Sequence, residues 1–302
     1  MTDTGTILFG GSGFLGSSVL NAYPDIISVG RTKPRARNRH IPAPSLADLD
    51  CLKGVPFDKV IYIIGNTNHA NLERETIPPG EPTAFDYHVT PLLQTLEQLK
   101  QYPIKKFVHF SAALLYDEKT FTLPVSENAP INPYKSRYVM SKYLAEEASR
   151  FYSTKMSIIT IRLANLYGPT PLQRWDVING LCRSLLETGR AQLWSIRPER
   201  DFIHVDDAAH AIVKLLETDY TGTLNLGSGT MTPLGRVKEI LEEVSGGVID
   251  VIDKPVSGPM RFQCDMTTLH RLIDWTPRSI ELGLRSMFEA MRDNRTQCHG
   301  AS

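Results

Sequence analysis

Thr6-Ile-Leu-Phe-Gly-Gly-Ser-Gly-Phe-Leu-Gly16 is the stretch of the chain that decides the fold. Its apolar residues 7–9 are typical of a buried strand, and the residues after the glycines have a helical pattern. The spacing Gly11-x-Gly13-x-x-Gly16 suits a tight turn that brings the backbone close to a pyrophosphate. The phosphates would then lie against the free amides at the helix N-terminus. Because a strand precedes the turn and a helix follows it, the sequence predicts a dinucleotide-binding site.

The turn and two later positions supply the candidate contacts to this cofactor. In the turn we expect contacts from Gly10, Gly13, Phe14, Leu15 and Gly16. A connection at residues 45–50 would place Asp48 and Leu49 at the adenine, although Asp48 could instead cap the next segment. Gly65 follows the buried strand 59–64, where a small residue lets a cofactor lie close.

Arg31 bears on which dinucleotide is bound. It follows a second apolar strand, residues 26–29. Folds that select NAD often place Asp or Glu there for the ribose 2′-hydroxyl, whereas a guanidinium suits a 2′-phosphate. The sequence therefore favours NADP, with NAD as the alternative. The basic residues 31–39 would otherwise form a solvated loop.

Composition limits the classes of protein to which this chain can belong. The 302 residues contain 33 Lys and Arg and 33 Asp and Glu, and this balance argues against a nucleic-acid binder. The chain has no run of about 18 apolar residues, so we expect no membrane span. Residues 1–5 lack a signal-peptide pattern, and the four cysteines lie far apart. We therefore expect a cytoplasmic protein with reduced thiols, and we predict no metal site.

A second pattern, Tyr138-x-x-x-Lys142, lies on the predicted helix 135–152. The two side chains share one face of that helix because they are four residues apart. A free tyrosine, with a pKa of about 10, is a poor base, but a nearby ammonium favours the phenolate and lowers that pKa. The pair could exchange a proton with a substrate hydroxyl or carbonyl while a nicotinamide exchanges hydride. The alternative is a surface tyrosine beside a lysine, since so short a motif also occurs by chance.

Further segments extend the pattern over nearly the whole chain. They are Arg162-Leu-Ala-Asn-Leu-Tyr-Gly-Pro169, Arg200-Asp-Phe-Ile-His-Val-Asp-Asp207, Asn225-Leu-Gly227, and Asp265 leading to Asp274-Trp-Thr-Pro277. Together with the glycine turn and the Tyr138–Lys142 pair, these segments resemble the extended short-chain dehydrogenase/reductases. In particular they resemble the NAD-dependent epimerase/dehydratase family, which acts mainly on nucleotide sugars.

The resemblance implies an α/β fold, a Rossmann-type doubly wound parallel sheet with a smaller C-terminal α+β substrate-binding domain. The order of the elements agrees, because strands alternate with helices as far as residue 163 and the alternation then breaks. Residues 1–168 and 201–228 would form the dinucleotide-binding domain. Residues 169–200 and 229–302 would form the substrate-binding domain.

The resemblance also implies a role for each remaining candidate residue. Tyr138 would be the general acid and base, and Lys142 would hold the cofactor ribose and tune Tyr138. Asn165 resembles the asparagine that contacts the phosphate or sugar of a nucleotide sugar. Arg200 resembles the arginine that neutralises the diphosphate, and Arg261 is a further candidate. The alternatives are an asparagine that turns a loop and surface arginines paired with carboxylates.

Two positions depart from the family pattern. Ala112 stands where the family usually has a Ser or Thr that hydrogen-bonds the reacting oxygen, and losing such a donor typically costs about 10²–10³ in rate. Ser111 could replace that hydroxyl only if the strand kinks, because neighbouring strand residues point to opposite faces. His88 stands where the family often has Asn, either as a core or solvent-bridging histidine or as a proton relay.

A third comparison with the family concerns dehydration. The 4,6-dehydratases of the family carry an Asp-Glu pair, used for water elimination, where this chain has Ala113 and Leu114. Without these carboxylates we do not expect a 4,6-dehydratase.

These observations leave three hypotheses for the function. The first is an NAD(P)-dependent reductase of a nucleotide-linked keto-sugar, favoured by Arg31 because reductases commonly use NADPH. The second is a nucleotide-sugar epimerase that oxidises and re-reduces one carbon with a retained cofactor. The third, motivated by Ala112, is a cofactor-binding protein with impaired chemistry. A nucleotide sugar is the expected small-molecule partner, and the resemblance implies a homodimer formed through a helix pair that includes the Tyr138 helix.

Overall fold

The structure, a computed structural model, describes residues 4–174, 176–256 and 258–299. Its strands are β1 (Gly5–Phe9), β2 (Ile27–Gly30), β3 (His40–Pro42), β4 (Phe57–Tyr62), β5 (Lys106–Ala112), β6 (Ile158–Leu163), β7 (Asn165–Tyr167), β8 (Arg190–Leu193), β9 (Glu199–His204), β10 (Gly222–Leu226), β11 (Met231–Pro233) and β12 (Val248–Val251). Its helices are α1 (Phe14–Ala22), α2 (His69–Leu72), α3 (Ala84–His88), α4 (Thr90–Leu99), α5 (Arg137–Tyr152), α6 (Val177–Thr188), α7 (Val205–Leu215), α8 (Leu234–Ser245), α9 (Thr267–Leu272) and α10 (Ile280–His299). In the described part of the chain, none of these helices combines the length and the apolar character that crossing a membrane requires.

Seven strands form one sheet in the order β10-β6-β5-β4-β1-β2-β3, and every neighbouring pair is parallel. The chain runs outward from β1 through β2 to β3, then crosses back to β4 and continues in the other direction. The carboxyl ends of β1 and β4 therefore flank the switch point where open α/β sheets bind ligands. The predicted Rossmann-type α/β fold is confirmed.

The glycine turn joins β1 to α1 with its backbone tightly folded. The Gly13 amide donates to the Gly10 carbonyl at 3.0 Å. A Cβ on Gly16 would lie 2.2 Å from that same carbonyl oxygen, so only glycine fits there. Gly13 is the N-cap of α1, and no side chain caps the helix. The first amides of α1 therefore keep their hydrogen-bonding capacity for a ligand.

Helices cover both faces of the large sheet. On one face α1 and α7 pack against the strands through buried residues such as Val19 and Ile212. On the other face α4 and α5 pack through residues such as Leu96 and Ala145. Because both faces are covered, the central strands are apolar on both sides, which explains their continuous apolar runs in the sequence.

Most of the elements after β6 form a smaller α+β part, whereas α2 and α3 pack beside α5 through Leu72 and Ala84. Strands β11, β9 and β7 form one sheet, and β12 pairs with β8. A separate apolar core joins α6, α8 and α10 through residues such as Leu181, Ile240 and Met287. Part of the C-terminal region departs from this grouping, because Leu269 and Trp275 pack into the core beneath α1 and α7.

Candidate active site

The Tyr138–Lys142 pair lies on α5, whose first turn is capped from two directions. Ser136 is the N-cap, and its hydroxyl accepts a backbone N–H. The Glu73 carboxylate accepts the backbone amides of Arg137 at 3.1 Å and Tyr138 at 2.7 Å. A carboxylate at this end also complements the helix dipole. The two caps fix where α5 begins and hence where Tyr138 lies against the sheet.

Tyr138 and Lys142 are buried, with 5% and 7% of their surface exposed. Lys142 Nζ lies 6.0 Å from the centre of the Tyr138 ring and donates to the Phe110 carbonyl of β5 at 3.0 Å. One turn further along α5, Glu146 accepts two hydrogen bonds from Arg162 of β6, at 3.0 and 2.8 Å. Both contacts fasten α5 to the sheet, so the pair is held in place.

Burial moves the pKa values of the pair in opposite directions. Desolvation of the phenolate raises the pKa of Tyr138 above its usual value, and the positive charge of Arg174 acts in the lowering direction. Desolvation of the ammonium lowers the pKa of Lys142 to about 8, against the raising influence of Glu146. The lowered phenol pKa that the sequence predicted is therefore wrong for this geometry. Burial dominates, and the Lys142 ammonium donates to the Phe110 carbonyl.

His88 connects the loop after β4 to α5. Its Nδ1 lies 2.8 Å from the hydroxyl of Ser141, which donates to the Tyr138 carbonyl at 2.7 Å. Its Nε2 lies 3.1 Å from the amide nitrogen and 2.9 Å from the carbonyl oxygen of Asn66. Its ring meets the Tyr138 ring edge-on at 5.4 Å, and a Cβ on Gly65 would lie 3.1 Å from it. With 2% exposure, His88 is a core histidine packed within the site.

Strand β5 ends beside Tyr138 with a methyl group where the family usually has a hydroxyl. Ala112 is 8% exposed and belongs to the same buried cluster as Tyr138. The pairing of β5 with β6 continues in regular register through Ser111 and Ala112, whose backbone is extended. Because the strand does not kink, Ser111 lies on the opposite face and does not replace the missing hydroxyl.

The space at the carboxyl ends of β1 and β4, which we call the cofactor cleft, suits the diphosphate of a dinucleotide. The amides of Phe14, Leu15 and Gly16 form the first turn of α1, where no acidic side chain opposes an anion. The close packing of Gly16 against the Gly10 carbonyl fixes the turn from which these amides project. These residues would hold the diphosphate by backbone donation and the helix dipole.

The other predicted cofactor contacts follow β2 and β3 in the chain. Arg31 follows β2 directly and is exposed. Asp48 Oδ1 accepts the backbone amide of Asp50 at 3.0 Å, just before the 3₁₀ turn Asp50–Leu52. Its contact with the adenine stays a prediction. Leu49 is fully buried, and its carbonyl accepts the Tyr102 hydroxyl at 3.2 Å. Its side chain is therefore part of the core.

A pocket of about 530 Å³ lies among β7, α6, β8 and β9 and is lined by both Asn165 and Arg200. The Asn165 side-chain amide donates to the Asp201 carbonyl at 3.2 Å. Arg200 is half-buried, and desolvation lowers its pKa. Among the described residues its guanidinium reaches only the Glu199 carbonyl, at 3.5 Å. The structure thus brings together two of the three predicted substrate-binding residues.

Arg261 lies elsewhere. It lines a separate surface groove with Phe121 and Met260, and its side chain is 60% exposed. Its Nε pairs with the Glu199 carboxylate at 3.3 Å. This is the surface ion pair that the sequence left open as the alternative.

A sequence model described as the NAD dependent epimerase/dehydratase family matches residues 6–227. The chain belongs to this family. Over 306 residues it is 28% identical to a Methanocaldococcus jannaschii protein named "Putative UDP-glucose 4-epimerase", covering 95% of this chain and 98% of that one.

Two solved structures of epimerases share the fold. The UDP-N-acetylglucosamine 4-epimerase of Methanobrevibacter ruminantium M1, in complex with UDP-N-acetylmuramic acid, has a TM-score of 0.84 at 21% identity, covering 97% of this chain and all of that one. The UDP-glucuronic acid 4-epimerase of Bacillus cereus, in complex with UDP-glucuronic acid and NAD, has a TM-score of 0.81 at 20% identity, covering 96% and 100%. The family predicted from the sequence is confirmed, and its description makes NAD the implied cofactor.

Two residues in the site of this epimerase/dehydratase family member were missed by the sequence analysis. Glu73 caps α5 from a loop 65 residues away, and no local pattern marks it. Arg174 lies with its guanidinium carbon 4.1 Å from the centre of the Phe14 ring. Asp176 before an amphipathic stretch is a signal for the start of α6, but nothing in the sequence places Arg174 against the glycine turn.

Proposed function

We propose that this protein is an NAD-dependent epimerase that inverts one carbon of a nucleotide-linked sugar. The observation that carries the proposal is the pocket lined by Asn165 and Arg200. This pocket adjoins the cofactor cleft through Asp176, a lining residue that holds Arg174 against Phe14. The epimerases to which the chain is similar match it over almost its full length, which supports this class of reaction.

In the proposed complex the substrate lies in the smaller part of the molecule. We assign residues 169–200 and 229–302 to that part and residues 1–168 and 201–228 to cofactor binding. The boundary is not strict, because β7 and β9 pair within the smaller sheet while Leu269 and Trp275 pack into the core beneath α1 and α7. The half-buried Arg200 guanidinium would neutralise the substrate diphosphate, since its donors have no carboxylate partner among the described residues. Asn165 would donate to the phosphate or the sugar.

Tyr138 would perform the proton transfers. It would take a proton from the sugar hydroxyl when the carbon is oxidised and return a proton to the keto oxygen when it is reduced. The nicotinamide, when bound, supplies the acceptance and return of hydride. Taking the proton requires the phenolate form of Tyr138, which its raised pKa disfavours and which the positive charge of an oxidised nicotinamide would favour. Donation from the neutral phenol to the keto oxygen is therefore the easier of the two proton transfers. Lys142, with a pKa of about 8, keeps its positive charge at neutral pH.

The test is to incubate the protein with NAD⁺ and a panel of UDP-, GDP-, dTDP- and CDP-hexoses and to follow epimer formation by NMR. We expect one sugar nucleotide to equilibrate with its epimer without net release of NADH. Arg200→Gln should raise KM by roughly 10- to 100-fold, because it removes a charge-assisted contact. Arg261→Gln is the matched control and should leave KM unchanged. Absence of conversion with every sugar nucleotide would refute the proposal.

A second candidate is an NADPH-dependent reductase of a nucleotide-linked keto-sugar. Arg31 and Lys33 favour it, because both are exposed after β2 and no ion pair holds either of them in the described part of the chain. Net consumption of NADPH with a keto-sugar nucleotide would support this function in place of epimerisation. Equal affinity for NADP and NAD, unchanged by Arg31→Ala, would remove the argument for it.

The family includes dehydratases, and we propose that this chain is not a 4,6-dehydratase. The 3₁₀ turn after β5, Ala113–Leu115, presents no carboxylate. Formation of a 4-keto-6-deoxy sugar from a nucleotide hexose would contradict this proposal.

We also propose a homodimer formed through α4 and α5. Leu93, Leu144 and Phe151 lie exposed on these helices, with 38%, 38% and 68% of their surface accessible. Light scattering after size-exclusion chromatography should give twice the mass of one chain. Phe151→Glu should shift the protein to the monomer, whereas a monomeric wild type would contradict the assignment.

A further inference from the structure

Arg174 reaches from outside the large sheet to the glycine turn. It lies in the connection between β7 and α6, within the part that we assign to the substrate. Its guanidinium carbon lies 4.1 Å from the centre of the Phe14 ring, which is a cation–π contact. Phe14 is the first residue of α1. The cation is thus held at the helix end where a diphosphate would bind.

The position of this guanidinium is fixed by a shared carboxylate. Asp176 Oδ2 accepts a hydrogen bond from Arg174 Nε at 2.7 Å, while Asp176 Oδ1 caps α6 by accepting the Asn179 amide at 3.0 Å. Only 18% of the Arg174 side chain is exposed. Stacking on one side and the Nε contact on the other leave the guanidinium little freedom.

The terminal nitrogens of Arg174 remain available. In the described part of the chain neither Nη1 nor Nη2 donates a hydrogen bond, although both belong to a largely buried cation. A largely buried cation favours hydrogen-bond acceptors, and the first-turn amides of α1 favour an anion. Both sets of donors belong to the start of α1, because Arg174 stacks on the ring of its first residue, Phe14.

We propose that Arg174 is a cofactor-binding residue whose guanidinium closes over the dinucleotide diphosphate at the N-terminus of α1. The diphosphate oxygens would accept hydrogen bonds from the backbone amides of α1 on one side and from the Arg174 guanidinium on the other. The substrate-binding part would thereby contribute a contact to the cofactor. Arg174 also acts to lower the pKa of Tyr138, which places its charge within electrostatic range of the catalytic pair.

Binding of the dinucleotide can be measured without turnover, so the role of Arg174 is tested separately from epimerase activity. The test is isothermal titration of the full chain, freed of nucleotide, with NAD⁺, ADP-ribose, adenosine and UDP. Arg174→Gln should raise the Kd for NAD⁺ and for ADP-ribose by roughly 10- to 100-fold. The Kd for adenosine, which lacks the diphosphate, should not change, and the Kd for UDP should stay within twofold.

Two further variants separate this inference from its rivals. Arg200→Gln is the matched control and should weaken UDP while leaving NAD⁺ unchanged. Arg174→Lys keeps the charge but loses the planar guanidinium that stacks on Phe14 and can donate two parallel hydrogen bonds. It should therefore raise the Kd for NAD⁺ by less than Arg174→Gln does. Circular dichroism and thermal unfolding check the fold, and if Arg174→Gln does not fold, Arg174→Lys alone decides by weakening NAD⁺ and not adenosine. Unchanged NAD⁺ affinity, or a loss confined to UDP, would overturn the inference.

Discussion

Replacing Ala112 by serine should accelerate catalysis. Ala112 packs in the buried cluster of Tyr138, at the regular end of β5, so a hydroxyl there would lie beside the phenol. Loss of one preorganised donor typically costs about 10²–10³ in rate. The surrounding residues are packed around a methyl group and would not hold the new hydroxyl in one orientation, and we therefore expect a smaller gain in kcat, of about 10- to 100-fold. This gain corresponds to ~1.4–2.7 kcal/mol in the activation barrier.

The same substitution should have a measurable cost in stability. Ala112 is 8% exposed, and burying an unpaired hydroxyl costs about 1–3 kcal/mol in protein mutational data. Ala113→Ser is the matched control, because Ala113 is equally buried but belongs to the cluster beneath α1 and α7. It should lower stability in urea unfolding to a similar degree without raising kcat.

The assay is steady-state turnover with the sugar nucleotide that the panel identifies, measured for Ala112→Ser, Ala113→Ser and Ser111→Ala. Ser111 lies on the other face of β5, so its loss should leave kcat within twofold. The reasoning would be refuted if Ala112→Ser turned over no faster than Ala113→Ser. A tenfold loss in Ser111→Ala would refute it equally, because Ser111 would then supply the donor.

Three further predictions concern α5. Tyr138→Phe should lower kcat by at least about 10²-fold while the protein stays folded by circular dichroism, and retained turnover would exclude Tyr138 as the acid and base. Glu146→Gln leaves the buried Arg162 charge without its partner and should cost about 3–5 kcal/mol in urea unfolding. The exposed pair of Glu147 with Arg150 is the control, and Glu147→Gln should cost less than about 1 kcal/mol. Lys142 loses its proton at a pH of about 8 in the folded state and about 10.4 when unfolded, so the unfolded chain binds more protons between these values. Wild-type stability should therefore rise by about 2 kcal/mol from pH 8 to pH 10 relative to Lys142→Met, and parallel curves would contradict the lowered pKa.

The local features of the site could be predicted because their causes are local. The glycine turn follows from spacing, since a Cβ at Gly16 would collide with a carbonyl six residues earlier in the chain. The helix that carries Tyr138 and Lys142 follows from its own sequence, and their separation of four residues puts them on one face. The face of the sheet on which Ser111 lies could also be predicted, because side chains alternate between the two faces along a strand that stays regular.

The surroundings of residues whose neighbours come from distant segments of the chain could not be predicted from the sequence. Asn165 and Arg200 line one pocket, whereas Arg261 pairs with Glu199 on a separate groove. No spacing along the chain distinguishes these arginines, because each owes its partner to the way the smaller part folds. Asp48 was open to two functions, and the structure shows its carboxylate bound to the Asp50 amide.

The sequence by itself determined the parallel sheet, the dinucleotide turn and the family, since each depends on residues that are neighbours in the chain or recur with a fixed period. Only the tertiary structure decided the electrostatics of the site. It buried Tyr138 so deeply that desolvation outweighs the effect of nearby charge, and it placed Arg174 against Phe14 across 160 residues of chain. The physical reason is that the cost of desolvation and the strength of a charge depend on what surrounds a group in space, and that surrounding is assembled from segments far apart in the sequence.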